Sequence, residues 1–318
     1  MGRRRKGKPI TGWLVIDKPA GMSSAHAVAV VRRLTGAARV GHGGTLDPLA
    51  TGVLPIALGE ATKTVAYAMN GAKLYRFTVR FGEARSTDDA EGEATATSPH
   101  RPDRAAIEAA LPKFVGEIEQ VPPSYSALKV EGRRAYAIAR DGGAPALAPR
   151  RVTVEAFRLV EEPDPSRPDP AQSGLDRATF EVRSGKGVYM RALARDLARA
   201  LGTLGYVENL RRLAVGPFTE KDAISLDCLA DLVHSARLAE ALHPPATVLD
   251  DIPALALTEI EARRLRQGQP IAALPVASRS PKAEFVPGAP VRAMAGGRLV
   301  ALAEVRGGEI RPLRVIND

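Results

Sequence analysis

One carboxylate in this chain sits inside a segment suited to close approach: Val40-Gly41-His42-Gly43-Gly44-Thr45-Leu46-Asp47-Pro48-Leu49-Ala50-Thr51-Gly52. Gly41, Gly43, Gly44 and Gly52 permit positive φ or tight contact between backbone and ligand. Pro48 continues neither a ladder nor a helix, so the spacing predicts Asp47 on a stiff loop. An ionised carboxylate held there could act as a nucleophile or a base. Composition alone favours a plainer reading, a tight turn with Asp47 as its Asx cap.

The elements that must position this loop follow from periodicity and punctuation. Residues 13–16 read as a buried strand ending at Asp17-Lys18-Pro19. Ser23 or Ser24 can cap a helix carrying Ala27, Val30, Val31 and Leu34 on one face, stopped by Gly36. Residues 53–58 leave the loop as a strand. Residues 74–81 alternate cleanly, with Tyr75, Phe77, Val79 and Phe81 on one side and Arg76, Thr78 and Arg80 on the other. Short helices are predicted over 104–111 and 133–140, with an extended segment over 121–125. Residues 152–160 and 178–183 read as paired strands, joined by a Pro/Asp-rich surface loop over 161–176. Residues 188–201 form the strongest helical pattern: Leu193, Ala194, Leu197 and Leu201 share a face, Arg191, Arg195 and Arg199 recur every fourth residue, and Gly202 ends it. A further strand is predicted over 213–218. A domain boundary is placed near residue 250, followed by small-barrel strands over 291–294 and 299–305.

Composition narrows the chemistry. The 318 residues are 45% hydrophobic, enough for a packed core, and Lys plus Arg outnumber Asp plus Glu by 45 to 36. The resulting +9 charge favours an anionic partner, most simply nucleic acid. Cys228 is the only cysteine, which excludes an intramolecular disulfide and a cysteine-rich metal centre. His26, His42, His100, His234 and His243 show no metal-ligand spacing, and no nucleotide-binding glycine loop appears. No metal or cofactor is therefore expected. No run of 18 apolar residues suggests a membrane span, and the basic residues Arg3, Arg4, Arg5, Lys6 and Lys8 precede no signal-like apolar stretch. These basic residues read as a solvated arm, and the cytoplasm is the expected compartment.

The loop from His42 to Pro55, with its continuation Gly59-Glu60-Ala61-Thr62-Lys63, closely resembles the catalytic loop of the TruB family of bacterial tRNA pseudouridine-55 synthases. Gly43 stands where that pattern has threonine, a departure that bears on loop stiffness more than on the acid. Further stretches resemble the same family: Gly12 to Ser24, Lys73-Leu74-Tyr75-Arg76, Ser86 to Gly92, Pro123 to Lys129, Ser184 to Arg191, Leu210-Arg211-Arg212-Leu213 and Ile310 to Val315. The resemblance spans nearly the whole chain.

It implies an α+β pseudouridine-synthase fold, with a central mixed and mainly antiparallel sheet flanked by helices and a small C-terminal β-rich PUA-like domain. The implied divisions are a basic arm (1–10), a catalytic domain (11–248) with an RNA-gripping insertion at about 120–150, and an RNA-binding domain (249–318). The implied reaction isomerises uridine-55 in the T-loop of tRNA, detaching uracil from C1′ and rejoining it through C5. Asp47 is the implied catalytic carboxylate, either as a nucleophile on the base or the sugar or by taking the C2′ proton. Every route needs it ionised, the ordinary state of an aspartate at neutral pH. Arg191 is its implied partner, since a guanidinium favours the charged carboxylate and fixes its orientation. Tyr75 is implied to stack on the target base, and Tyr189 and Leu210 to line the pocket. His42 is implied to fill the space of the everted nucleotide, and Lys18 and Lys63 are candidates for contact with RNA. The expected partner is tRNA through its T-loop and T-stem, with no membrane, no obligatory protein partner and a monomeric state. A guided synthase within a ribonucleoprotein, a non-catalytic RNA-binding protein and an aspartyl hydrolase are the weaker alternatives.

Overall fold

The computed structural model describes residues 7–317 except 127, 131, 144, 161–173, 281–285 and 287. Arg3 to Lys6 of the basic arm, and most of the loop over 161–176, lie outside the described residues.

The chain opens with β1 (Gly12–Lys18) and α1 (Ser24–Thr35). Ser23 accepts from the His26 N–H as N-cap, and Gly36 closes the helix at φ 68, the left-handed geometry that favours glycine. Lys8 pairs with Ala37 just beyond it, so the end of the basic arm is pinned to the body. β2 (Val40–His42) and β3 (Thr51–Leu58) flank the Asp47 loop, and α2 (Val65–Asn70) leads to β4 (Lys73–Phe81). A small hairpin of β5 (Glu83–Arg85) and β6 (Ala94–Thr97) is followed by α3 (Arg104–Ala110) and β7 (Gly116–Gln120). The insertion carries β8 (Lys129–Val130), β9 (Arg133–Arg134) and α4 (Ala135–Arg140). Then come β10 (Arg150–Val160), β11 (Arg177–Ser184), α5 (Met190–Ala200), β12 (Gly205–Val215), β13 (Phe218–Thr219) and α6 (Leu226–His234).

The main sheet runs β1-β3-β12-β4-β11-β10-β7, with β2 beside β3 and β13 beside β12. Among the described residues only β3 and β12 of this sheet pair in parallel and its other neighbouring strands pair antiparallel, so the sheet is mixed and mainly antiparallel as expected. Phe77, Val79 and Phe81 of β4 share a buried cluster with Leu193, Ala194 and Leu197 of α5, burying the apolar faces that the alternating and helical patterns predicted. A second sheet contains β14 (Ala254–Ala256), β15 (Ile271–Ala272), β16 (Pro290–Ala295), β17 (Arg298–Arg306) and β18 (Glu309–Val315), with α7 (Glu259–Arg266) and α8 (Ala273–Arg279) between its strands. Leu299, Leu302 and Ile316 pack with Trp13, Val15 and Val53, so the C-terminal segment shares a core with β1 and β3.

Element boundaries differ from the sequence patterns at several points. Residues 133–134 form a strand, and helix begins only at Ala135. The strand expected over 213–218 is two strands: β12 starts at Gly205, and a turn at Gly216, φ 52, precedes β13. Bulges at Val207/Asn209 and Arg212/Ala214 break the alternation that would have revealed β12. Of the four loop glycines, Gly44 (φ 137) and Gly52 (φ 99) use positive φ, whereas Gly41 and Gly43 do not.

Gly52 is the position that the β3–β12 contact requires, because a Cβ there would lie 2.2 Å from the Arg212 carbonyl oxygen. Gly52→Ala combines that clash with positive φ and should lower stability by roughly 2 kcal/mol or more. The loss would appear as a lower urea midpoint with an unchanged slope; a midpoint equal to wild type would contradict this register.

Candidate active site

The Asp47 loop is held from beneath by groups that take up its carbonyls. Ser24 Oγ accepts from the Leu46 N–H (2.8 Å) and donates to the Leu46 carbonyl (3.0 Å). Lys18 is fully buried, and its ammonium donates to the carbonyls of Pro19 (2.7 Å), Met22 (2.7 Å) and Pro48 (3.1 Å). Arg212, also buried, donates to the carbonyls of Val53 (2.8 Å), Thr45 (3.2 Å) and Gly44 (3.1 Å). A backbone whose carbonyls are so fully engaged has little freedom, and this rigidity replaces regular secondary structure around the acid.

Asp47 projects from this platform with 31% of its side chain exposed. Arg191, in the first turn of α5, grips it with both arms of the fork: Nε donates to Oδ2 at 2.9 Å and Nη2 to Oδ1 at 3.1 Å. The same guanidinium donates to the carbonyls of Thr87 (2.9 Å) and Tyr125 (2.9 Å), and Asp89 Oδ2 lies 3.5 Å from its Nε. One buried cation thus joins the Asp47 loop, the 86–92 loop and the 120–150 segment. The start of α5 is fixed by Gln120, whose side-chain amide accepts from the Tyr189 N–H (2.8 Å) and donates to the Tyr189 carbonyl (3.0 Å). That exchange holds Tyr189 extended, so the helix begins at Met190 rather than at Val188.

The aromatic candidates are carried by β4, the start of α5 and the end of β2. Tyr75 on β4 lies directly across from Arg212 on β12, on the sheet face that also carries Phe77 and Leu210. Burial, followed by the nearby Asp47 charge, pushes the Tyr189 phenol above its ordinary range, so it stays neutral. His42 opens the loop and accepts from the Gly44 N–H through Nδ1 at 3.4 Å; burial, and then Arg212, lower its pKa and favour the neutral ring. Leu210 is buried opposite Phe77 within the main core.

Of the two candidate lysines, Lys18 stands elsewhere than an RNA-contact role requires. Lys18 is buried beneath the loop with all three donors engaged, which corrects that expectation: it positions Pro48. Lys63 donates to Glu60 and to the Val315 carbonyl (2.6 Å), joining the first 3₁₀ turn after β3 to the end of β18. Its ammonium is a clasp to the C-terminal segment. Arg212, Asp89 and Gln120 were not singled out from sequence. The Arg211-Arg212 doublet was visible, but its second member reads as a solvated charge until β12 is placed.

This chain matches two family models, "TruB family pseudouridylate synthase (N terminal domain)" over residues 32–190 and "tRNA pseudouridylate synthase B C-terminal domain" over residues 191–251. The Asp47–Arg191 pair therefore joins both matched segments. It is 56% identical to a tRNA pseudouridine synthase B of Rhodospirillum rubrum over 317 residues, covering 100% of each chain. It is 52% identical to the protein of the same name from Caulobacter vibrioides, covering 99% of each. The fold is similar to a chain of a Cbf5-Nop10-Gar1 complex, with TM-score 0.72 and 24% identity over 96% of this chain and 85% of that one. The chain belongs to the TruB family of pseudouridylate synthases.

Proposed function

We propose that this enzyme converts uridine-55 in the T-loop of tRNA to pseudouridine, with Asp47 as the acting carboxylate. The observation that carries this reading is the two-pronged Arg191–Asp47 pair at the mouth of a loop immobilised by Lys18 and Arg212. The N1–C1′ bond breaks, uracil turns, C5 bonds to C1′, the C5 hydrogen leaves as a proton and N1 gains one. This isomerisation is redox-neutral and needs neither metal nor cofactor. Attack on the base, attack on C1′ and removal of the C2′ proton all use the same fixed, ionised oxygen. Arg191 holds that oxygen in one orientation before substrate arrives, which is how preorganised charge contributes to catalysis.

The target must leave its stack to reach Asp47, at a cost of a few kcal/mol. Tyr75 offers the stacking face, with base–aromatic stacking contributing about 1–3 kcal/mol. Tyr189 and Leu210 line the pocket, and neutral His42 fills the space that the nucleotide vacates. Residues 11–248 form the catalytic domain, the insertion near 120–150 grips the T-stem, and residues 249–318 add RNA contacts as a PUA-like domain. The enzyme acts in the cytoplasm as a monomer without an obligatory protein partner. Among the described residues no helix is long and apolar enough to cross a membrane.

With tRNA tritiated at uracil C5, wild type should release tritium in step with pseudouridine formation. Asp47→Asn should bind tRNA yet turn over on the order of 10³-fold more slowly; retained turnover would remove Asp47 from the chemistry. Arg191→Lys should lower kcat about 10²-fold, because a point charge does not reproduce the fork; near-normal kcat would contradict its role.

A pH profile tests the loop. Burial pushes the Lys18 ammonium from 10.5 to about 8, against the opposing pull of Asp47. Above that pH the neutral amine has two N–H donors for three carbonyls, so kcat at saturating tRNA should fall as pH rises through about 8. Stability moves the other way for this group. Its folded pKa lies below the unfolded value, so the burial penalty is complete below about 8 and fades toward 10.5. A kcat flat from pH 7 to 9.5 would contradict the assignment.

A further inference from the structure

Lys18 shows what a satisfied buried ammonium looks like here, and Lys73 does not match it. Lys73 is 7% exposed and donates to one carbonyl, that of Met69 at the end of α2. An ammonium carries three donors, so two have no partner among the described residues. Ser184 stands directly opposite Lys73 in the β4–β11 register, which places both side chains on one face and close together. Ser184 is 1% exposed, and its hydroxyl has no hydrogen-bond partner among the described residues. Buried polar groups are seldom left this way, because an unmade hydrogen bond is expensive.

The surrounding charge has one sign. Lys186, exposed two residues beyond Ser184, donates to Asn70 Oδ1 at 3.1 Å and so reaches the same end of α2. Burial pushes Lys73 down to about 8, and the charges that bear on it, Arg212 and Lys186, are both positive and push the same way. The neighbouring Met69 is 44% exposed, so the cluster lies beside open surface. Lys73 also shares its sheet face with Tyr75, two residues along β4, and Tyr75 adjoins Arg212, which holds the Asp47 loop. The cluster therefore shares a sheet face with Tyr75 and combines buried donors with clustered cations.

We propose that Lys73, Ser184 and Lys186 form an oxyanion subsite for one phosphodiester of the RNA strand that carries the target uridine. The inference rests on the RNA-isomerase reading and adds to it the group that anchors the strand beside the everted nucleoside. Lys73 and Ser184 supply the buried donors. Lys186 supplies the exposed charge that meets the phosphate first.

The test uses the full chain and a T-arm RNA in which each phosphodiester flanking the target is replaced, one at a time, by an uncharged methylphosphonate. One position should weaken wild-type binding by about 10-fold. Lys73→Met and Lys186→Gln should weaken binding of unmodified RNA, reduce the slope of log affinity against log salt by just under one unit per lost contact, and raise KM more than they lower kcat. The same methylphosphonate should then have little further effect in either variant. Ser184→Ala should show a smaller loss at that position without changing the salt slope. If Lys73→Met fails to fold, Lys186→Gln carries the test, because its side chain is exposed. The proposal is overturned if no flanking methylphosphonate affects wild type, or if variant and methylphosphonate effects multiply independently. Tritium release by wild type is read separately, so loss of this subsite is distinguishable from failure of the isomerase reading.

Discussion

A guanidinium buried to 3% exposure cannot be left without partners, and the site of this protein is organised by how Arg191 is paired. Taking such a charge out of water carries a penalty of several kcal/mol unless strong acceptors surround it. Arg191 finds them on three segments far apart in sequence: the Asp47 carboxylate, the Thr87 carbonyl and the Tyr125 carbonyl. The penalty of burial thus becomes a constraint on geometry. If the 86–92 loop or the insertion shifts, the cation loses an acceptor, and Asp47 is the group that feels it. That stiffness fixes where the Asp47 carboxylate points.

The loop beneath is organised by the same logic. Lys18 and Arg212 bring buried positive charge to a run of backbone carbonyls that glycine and proline leave without ladder partners. Three buried cations around one loop set a field that favours a negative group at its tip. The C-terminal segment belongs to this rigid assembly as well. Lys63 and Glu60 fasten it through Val315 and Asn317, and Leu299, Leu302 and Ile316 pack beneath β1 and β3.

Much of this was legible in the residues. The alternation of Tyr75, Phe77, Val79 and Phe81, the Ser23 cap and the Gly36 stop are local signals, and local physics decides them. Asp47 was legible because glycines and a proline around a lone acid mark a loop, and because a long motif resembled one family. What escaped detection depends on distant partners. β12 carries Glu208, Arg211 and Arg212 and two bulges, so its pattern reads as surface until β3 and β4 flank it. Lys18 reads as a candidate for RNA contact because a lysine's type says nothing about which carbonyls lie within reach. Arg212 and Asp89 were overlooked for the same reason: their burial is a property of the assembled sheet. Gly43 fits its surroundings closely, since a Cβ there would lie 3.2 Å from both Ala68 and Trp13, a tightness visible only in three dimensions.

The proposed role of Arg191 is to act on the reaction through Asp47. A double-mutant cycle on kcat with Asp47→Asn, Arg191→Gln and the double variant measures that dependence directly. The account predicts strong non-additivity, with the double variant about as slow as Asp47→Asn alone. Full additivity, each substitution slowing the reaction by the same factor whether or not the other is present, would contradict it.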